Sequence, residues 1–164
     1  ALLSRYSVTA EQHPTIDARH RALMLMPEDA TAWHDLGLLA LEIEDLDQAI
    51  DCVRQASRLA PESPTYLRNL GELCRRRGWH DEALESVQGA LLLDPTQVES
   101  HYNLGVLLAT LNRWQGASEA YRRALQLDPS HRRAWHNLSI ALHRLGRPED
   151  AGQAMRRAEQ LIRA

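Results

Sequence analysis

The sequence contains no lysine; all 19 basic side chains are arginine. Arginine grips carboxylates better than lysine does, but its exclusive use reads as the coding bias of a GC-rich, bacterial genome. Cysteine is scarce as well. Two cysteines, Cys52 and Cys74, cannot make a disulfide framework, which fits a reducing compartment and favours the cytoplasm. No apolar run approaches the roughly 18 residues a membrane-spanning helix needs, so no membrane insertion is expected. A signal-peptide pattern is missing at the N-terminus, and the first residue is Ala1 rather than Met, as expected of a processed or excised piece. The chain also lacks a basic excess. Its formal net charge of −3 argues against general nucleic-acid binding, which requires phosphate neutralisation along a face. No Gly-rich phosphate loop, nucleophile elbow or paired-carboxylate constellation occurs, so neither a catalytic centre nor a cofactor is expected.

What the chain does have is a period. A Leu–small pair recurs every 34 residues at Leu36-Gly37, Leu70-Gly71, Leu104-Gly105 and Leu138-Ser139. Thirteen residues after each Leu stands Ala49, Ala83, Ala117 or Ala151, and seven further on Ala56, Ala90, Ala124 or Ala158. Pro61, Pro95 and Pro129 close the first three units. A fixed period of this length means stacked helical hairpins. The units run over residues 30–63, 64–97, 98–131 and 132–164, with residues 1–29 as a degenerate leading hairpin. Ile16 to Pro27 is expected to be its second helix, with Leu2, Leu3 and Tyr6 as the remains of its first.

Within each unit two antiparallel helices are predicted. In the third, Leu104, Leu107, Leu108 and Leu111 give the first helix its apolar stripe, and Ala117, Ala120, Tyr121, Ala124 and Leu127 give the second. Gly78, Asn112 and Gly146 sit in the intervening turns, where they tolerate a left-handed backbone. Glu44 holds that place in the first unit, so its turn is expected to differ. A helical Gly costs about 1 kcal/mol against Ala, so three at one register require a packing reason: close approach of paired helices. Trp33, Leu67 and Trp135, with Val53, Val87, Tyr121 and Met155, fill the space beside them. His101 is the odd member of the first set and is expected to pack its ring, with the polar tip at the edge.

This pattern, Trp33…Leu36-Gly37…Ala49…Val53…Ala56…Pro61 and its copies, resembles the tetratricopeptide repeat. The resemblance implies an all-α, right-handed superhelix of four repeats whose first helices line a concave groove for a peptide segment. It places four rows in that groove. They are Thr31, His34, Leu38, Leu41 and Glu42; Thr65, Arg68, Glu72, Arg75 and Arg76; Glu99, Tyr102, Val106, Ala109 and Thr110; and Arg133, His136, Ile140, His143 and Arg144. Such a groove, with basic second and fourth rungs and an apolar third, suits an extended partner carrying acidic and apolar residues. The carboxylate clamp known in the family is absent: its register holds His34/Leu38, Arg68/Glu72 and Tyr102/Val106.

Asn69, Asn103 and Asn137 precede the Leu–small pair, with Asp35 in the matching place of the first unit. A carboxamide both donates and accepts, so it can bracket a peptide unit without reading side chains. Packed helices lie about 8–10 Å apart and an extended chain advances roughly 3.3–3.6 Å per residue. The row therefore matches about every third residue of a threaded peptide. It is similar to the asparagine ladder in the repeat domain of O-linked N-acetylglucosamine transferases. The peptide-contacting set is thus Asp35, Asn69, Asn103 and Asn137 with His34, Arg68, Tyr102, Arg133 and His136.

Eight histidines raise the question of a metal. His136 and His143 share a face but lie two turns, about 11 Å, apart, too far for one zinc ion, so no metal site is expected. Cys74 takes a slot filled elsewhere by Ala40, Leu108 and Leu142, and Trp79 and Trp114 near the turns are read as packing. Charge is uneven: residues 30–63 carry two arginines against seven acidic side chains, and residues 132–164 seven against three. Three functions follow as expectations. The first is a non-catalytic interaction scaffold. The second is a substrate-recruiting domain of a larger enzyme such as a glycosyltransferase. The third is a homo-oligomer joined through uncapped, oppositely charged ends.

Overall fold

A computed structural model describes Met24 and residues 27–163. The described residues form eight helices and no strand: α1 (Ala30–Glu42), α2 (Leu46–Leu59), α3 (Pro64–Arg77), α4 (His80–Leu93), α5 (Val98–Thr110), α6 (Trp114–Leu127), α7 (Arg132–Arg144) and α8 (Pro148–Arg163). The chain is an all-α solenoid. Each helix packs on the next, and the first helices of successive pairs also touch, α3 on α5 and α5 on α7. The expected leading hairpin falls almost wholly outside the described residues.

The turn inside every pair has one geometry. Glu44, Gly78, Asn112 and Gly146 all have positive φ, at 62°, 88°, 58° and 72°. Their amides donate to the carbonyls of Leu41, Arg75, Ala109 and His143, and the following amides donate to those of Ala40, Cys74, Leu108 and Leu142. That double bond is a Schellman closure, which satisfies carbonyls the helix end leaves open. The first turn therefore does not differ, contrary to expectation. The paired hydrogen bonds and the packed helices around it hold Glu44 in a conformation its side chain disfavours.

The small residues do permit close approach. A Cβ on Gly37 would stand 2.8 Å from Val53 Cγ2, one on Gly71 2.5 Å from Val87 Cγ2, and one on Gly105 2.5 Å from Tyr121 Cε1. Tyr121 is buried against Gly105 with 2% exposure, so the largest side chain of that register lies where the facing helix has no side chain. Cys52 and Cys74 are buried core residues, and burial pushes both thiols up to about 12.

His101 has a specific job. Trp33 Nε1 donates to the Pro27 carbonyl at 2.8 Å and Trp135 Nε1 to that of Pro129 at 2.9 Å. His101 Nε2 makes the same bond to the Pro95 carbonyl at 2.9 Å. The imidazole thus replaces an indole N–H as the pin between a helix and the turn before it.

The core is divided. Ala117, Tyr121, Leu138 and Leu142 belong to a cluster in the last two pairs, while Ile50, Val53, Leu70 and Leu73 of the first two pairs form another with Leu107 of the third. Trp33, Leu36, Cys52 and Ala56 make a third at the start. Helix α5 serves both large clusters, with Leu107 and Leu111 toward one and Val98, Tyr102 and Val106 toward the other.

Candidate functional site

Three-and-four spacing on α1, α3, α5 and α7 puts the expected groove residues on one face of each first helix. The structure brings the middle of this set together. Arg68, Asn69, Glu72, Arg75, Glu99, Tyr102, Asn103, Val106 and Arg133 line a cleft of about 410 Å³ between α3, α5 and the start of α7. A smaller hollow of about 280 Å³ adjoins it at Val106 and continues past Ala109 and Asn137 to Trp114 and Ile140. The floor is polar at the first and apolar at the second. Leu41, expected in the groove, is half-buried and packs against the first-half core. Trp114, read from sequence as packing, also lines the apolar hollow, with the Arg144 guanidinium 5.3 Å from its ring centroid. His136 and His143 are exposed on the last rung.

The asparagine row is not uniform. Arg68, an obligate donor, points Nε and a terminal nitrogen at Asn69 Oδ1 at 3.4 and 3.3 Å. That orients Asn69 Nδ2 toward His34 Nε2, 2.8 Å away, so the imidazole must accept. Its Nδ1 then carries the proton and faces Asp35 Oδ1 at 3.8 Å. Two repeats on, Asn137 Nδ2 donates to the Tyr102 hydroxyl at 3.2 Å. Both bonds join a residue to the asparagine 35 positions later, across a repeat boundary. The intervening link, Arg68 to Asn103, is not made, because Arg68 folds back on Asn69. Among the described residues nothing hydrogen-bonds the Asn103 carboxamide, which lines the open cleft.

The charges around it are unequal in freedom. Arg75 is held by Glu72 through two bonds of 2.8 Å. Glu99 accepts from His131 Nε2 at 3.1 Å and lies 3.7 Å from Arg133. His131 Nδ1 accepts the Ala134 amide, which fixes its other nitrogen as the donor and caps α7. Tyr102 packs near the His131 ring, 4.8 Å centroid to centroid, and has the Arg133 guanidinium 5.0 Å from its own centroid. Arg68 has no carboxylate partner among the described residues, and beyond burial its charge adds to what holds the His34 imidazole below its ordinary value. Burial is the larger cause of that lowering, with Asp35 opposing it. Sequence reasoning named these residues except His131, and none of their cross-repeat bonds. The available signal was a polar side chain 35 positions before an Asn.

A family model described as tetratricopeptide repeat matches residues 34–99, 80–131 and 102–163. In three dimensions the chain is similar to a crystal structure of MamA, with 21% identity and a TM-score of 0.85 over 90% of this chain and 86% of that one. It is also similar to YrrB, described as a TPR protein with an unusual peptide-binding site, with 22% identity and a TM-score of 0.78 over 97% and 82%. At these identities the likeness establishes the fold alone. No curated protein matches the chain in sequence.

Proposed function

Because the chain belongs to the tetratricopeptide repeat family, we propose that it is a non-catalytic interaction module that holds an extended peptide along its first helices. The observation that carries this reading is the gap in the cross-repeat relay at Asn103. Its carboxamide, which makes no hydrogen bond to the described residues, stands in a cleft beside Arg68, a guanidinium without a carboxylate partner among them. A peptide unit supplies the donor and acceptor that Asn103 lacks, and an acidic side chain supplies the partner of Arg68. Apolar side chains following it meet Val106, Trp114 and Ile140 in the adjoining hollow. Asn69 and Asn137, already bonded to His34 and Tyr102, brace the repeats on either side. Asp35, Arg133 and His136 complete the edges of the same row.

An array of extended nine-residue peptides with acidic and apolar positions supplies the test. For the tightest binder, Asn103→Ala and Arg68→Gln each weaken binding by about tenfold, the scale of one lost charge-assisted or bracketing hydrogen-bond set. Asn69→Ala and Asn137→Ala lower the melting temperature more than the affinity. Equal affinity of wild type and Asn103→Ala removes the groove assignment.

A further inference from the structure

A second seam, on the opposite side of α7 from the groove, has the features of a docking site. Trp135, Leu138 and Leu142 project there, whereas Arg133, His136 and Ile140 lie on the groove face. With Leu125 of α6 they line a cleft of about 600 Å³ between α6 and α8, rimmed by Arg122 and Asp150; Trp135 is half-buried there, and Leu125, Leu138 and Leu142 lie buried beneath the opening.

The chain itself shows how such a seam closes. In the first two repeats Arg54 of α2 reaches Glu82 of α4 through two bonds, Nε to Oε1 at 2.9 Å and a terminal nitrogen to Oε2 at 3.1 Å. Those residues are 28 positions apart, and 28 positions also separate Arg122 from Asp150 in the last two repeats. There the bridge is not formed. Aspartate is one methylene shorter than glutamate, and Asp150 is taken by Arg147 at 2.6 and 2.8 Å. Arg122 is exposed and has no carboxylate partner among the described residues. A second guanidinium, Arg157, stands on the same rim.

We infer that this seam takes a partner protein segment that places a carboxylate on Arg122 and an adjacent large apolar side chain on the Trp135–Leu138–Leu142 floor. The carboxylate occupies the role Glu82 plays for Arg54, and charge-assisted bonding to arginine is geometrically demanding enough to select it. The rim carries two arginines while its lone aspartate is neutralised by Arg147, so an acidic segment is favoured over a basic or neutral one. This inference is independent of the groove around Asn103.

The probes are the blocked octapeptide Gly-Ser-Leu-Glu-Trp-Leu-Ser-Gly and the same peptide with glutamine replacing its glutamate. Both are titrated into the full chain and followed by backbone amide chemical shifts. Expected are shifts on α6, α7 and α8 around the cleft, with the glutamine peptide about tenfold weaker, the scale of one charge-assisted bond. Arg122→Gln, at an exposed position, removes the preference so that the two peptides bind alike. Asp150→Glu restores the internal bridge and weakens the acidic peptide. Shifts confined to the Arg68–Asn103 cleft, or equal binding of the two peptides to the wild type, overturn the inference. So does undiminished binding of the acidic peptide to Arg122→Gln. A concentration-dependent dimer that Arg122→Gln abolishes would assign the seam to a second copy and overturn it equally.

Discussion

Asn69 donates to Nε2 of His34 across 2.8 Å, a bond that joins two repeats and dictates which imidazole nitrogen carries the proton. Burial lowers the His34 pKa, the Asp35 carboxylate opposes the shift, and Arg68 adds to it. The unfolded chain therefore takes up this proton more readily than the folded one. Stability from His34 is complete above its ordinary value of about 6.5 and is lost as pH falls through the lower folded value. His34→Ala should cost about 1 kcal/mol at pH 7.5, with the gap narrowing on acidification. Nitrogen-detected NMR of the ring should show the Nδ1–H tautomer. A titration midpoint above the ordinary value would contradict this account.

The bridge between Arg54 and Glu82 makes a second, differently placed acid dependence. Hydrogen bonding from Arg54 lowers the Glu82 pKa, against an opposing contribution from burial. Its stabilisation is thus present above the ordinary carboxylate value of about 4.3 and disappears as pH falls through the depressed one. With side-chain exposures of 22% and 35% the pair is partly screened. Glu82→Gln should therefore destabilise by about 0.5–1 kcal/mol at neutral pH, and urea melts of the two proteins should converge in acid.

Two glycine substitutions should have opposite signs. In Gly105→Ala the new methyl meets the rigid Tyr121 ring at 2.5 Å. Overpacking of about 1–3 kcal/mol outweighs the roughly 1 kcal/mol gained in helix propensity. At Gly89 the nearest atom is Leu67 Cδ1, 3.3 Å away at the end of a flexible side chain. Gly89→Ala should raise stability by about 0.5–1 kcal/mol. Thermal unfolding of both variants decides the matter, and a stabilised Gly105→Ala refutes the packing argument.

Glu44 stores strain that its neighbours impose. A left-handed residue other than Gly costs about 1–2 kcal/mol, and Asn tolerates the conformation better. Glu44→Gly should raise the melting temperature, by more than Asn112→Gly does at the matching turn. Equal responses would mean that Glu44 is not strained.

The repeat was legible because its marks are covalent facts of spacing. Leu36-Gly37 and its copies, the paired alanines and Pro61, Pro95 and Pro129 fix which faces meet before any coordinate is known. Helix starts at Ala30, Pro64, Val98 and Arg132 coincide with the first residues of the expected units. Glu44 misled because propensity speaks for one residue, whereas the Schellman bonds at Leu41 and Ala40 are set by two packed helices. The relay from His34 to Asn69 and from Tyr102 to Asn137 was hidden for another reason. Each bond pairs two different chemistries at an offset of 35, so aligning like with like at 34 passes over it.

Helix α5 belongs to two interiors at once, Leu107 on one side and Tyr102 on the other. Its two packed faces tie the first half of the stack to the second. Asn103 is mounted on that shared beam. A ligand bound at Asn103 would therefore act on a helix packed into both halves of the stack.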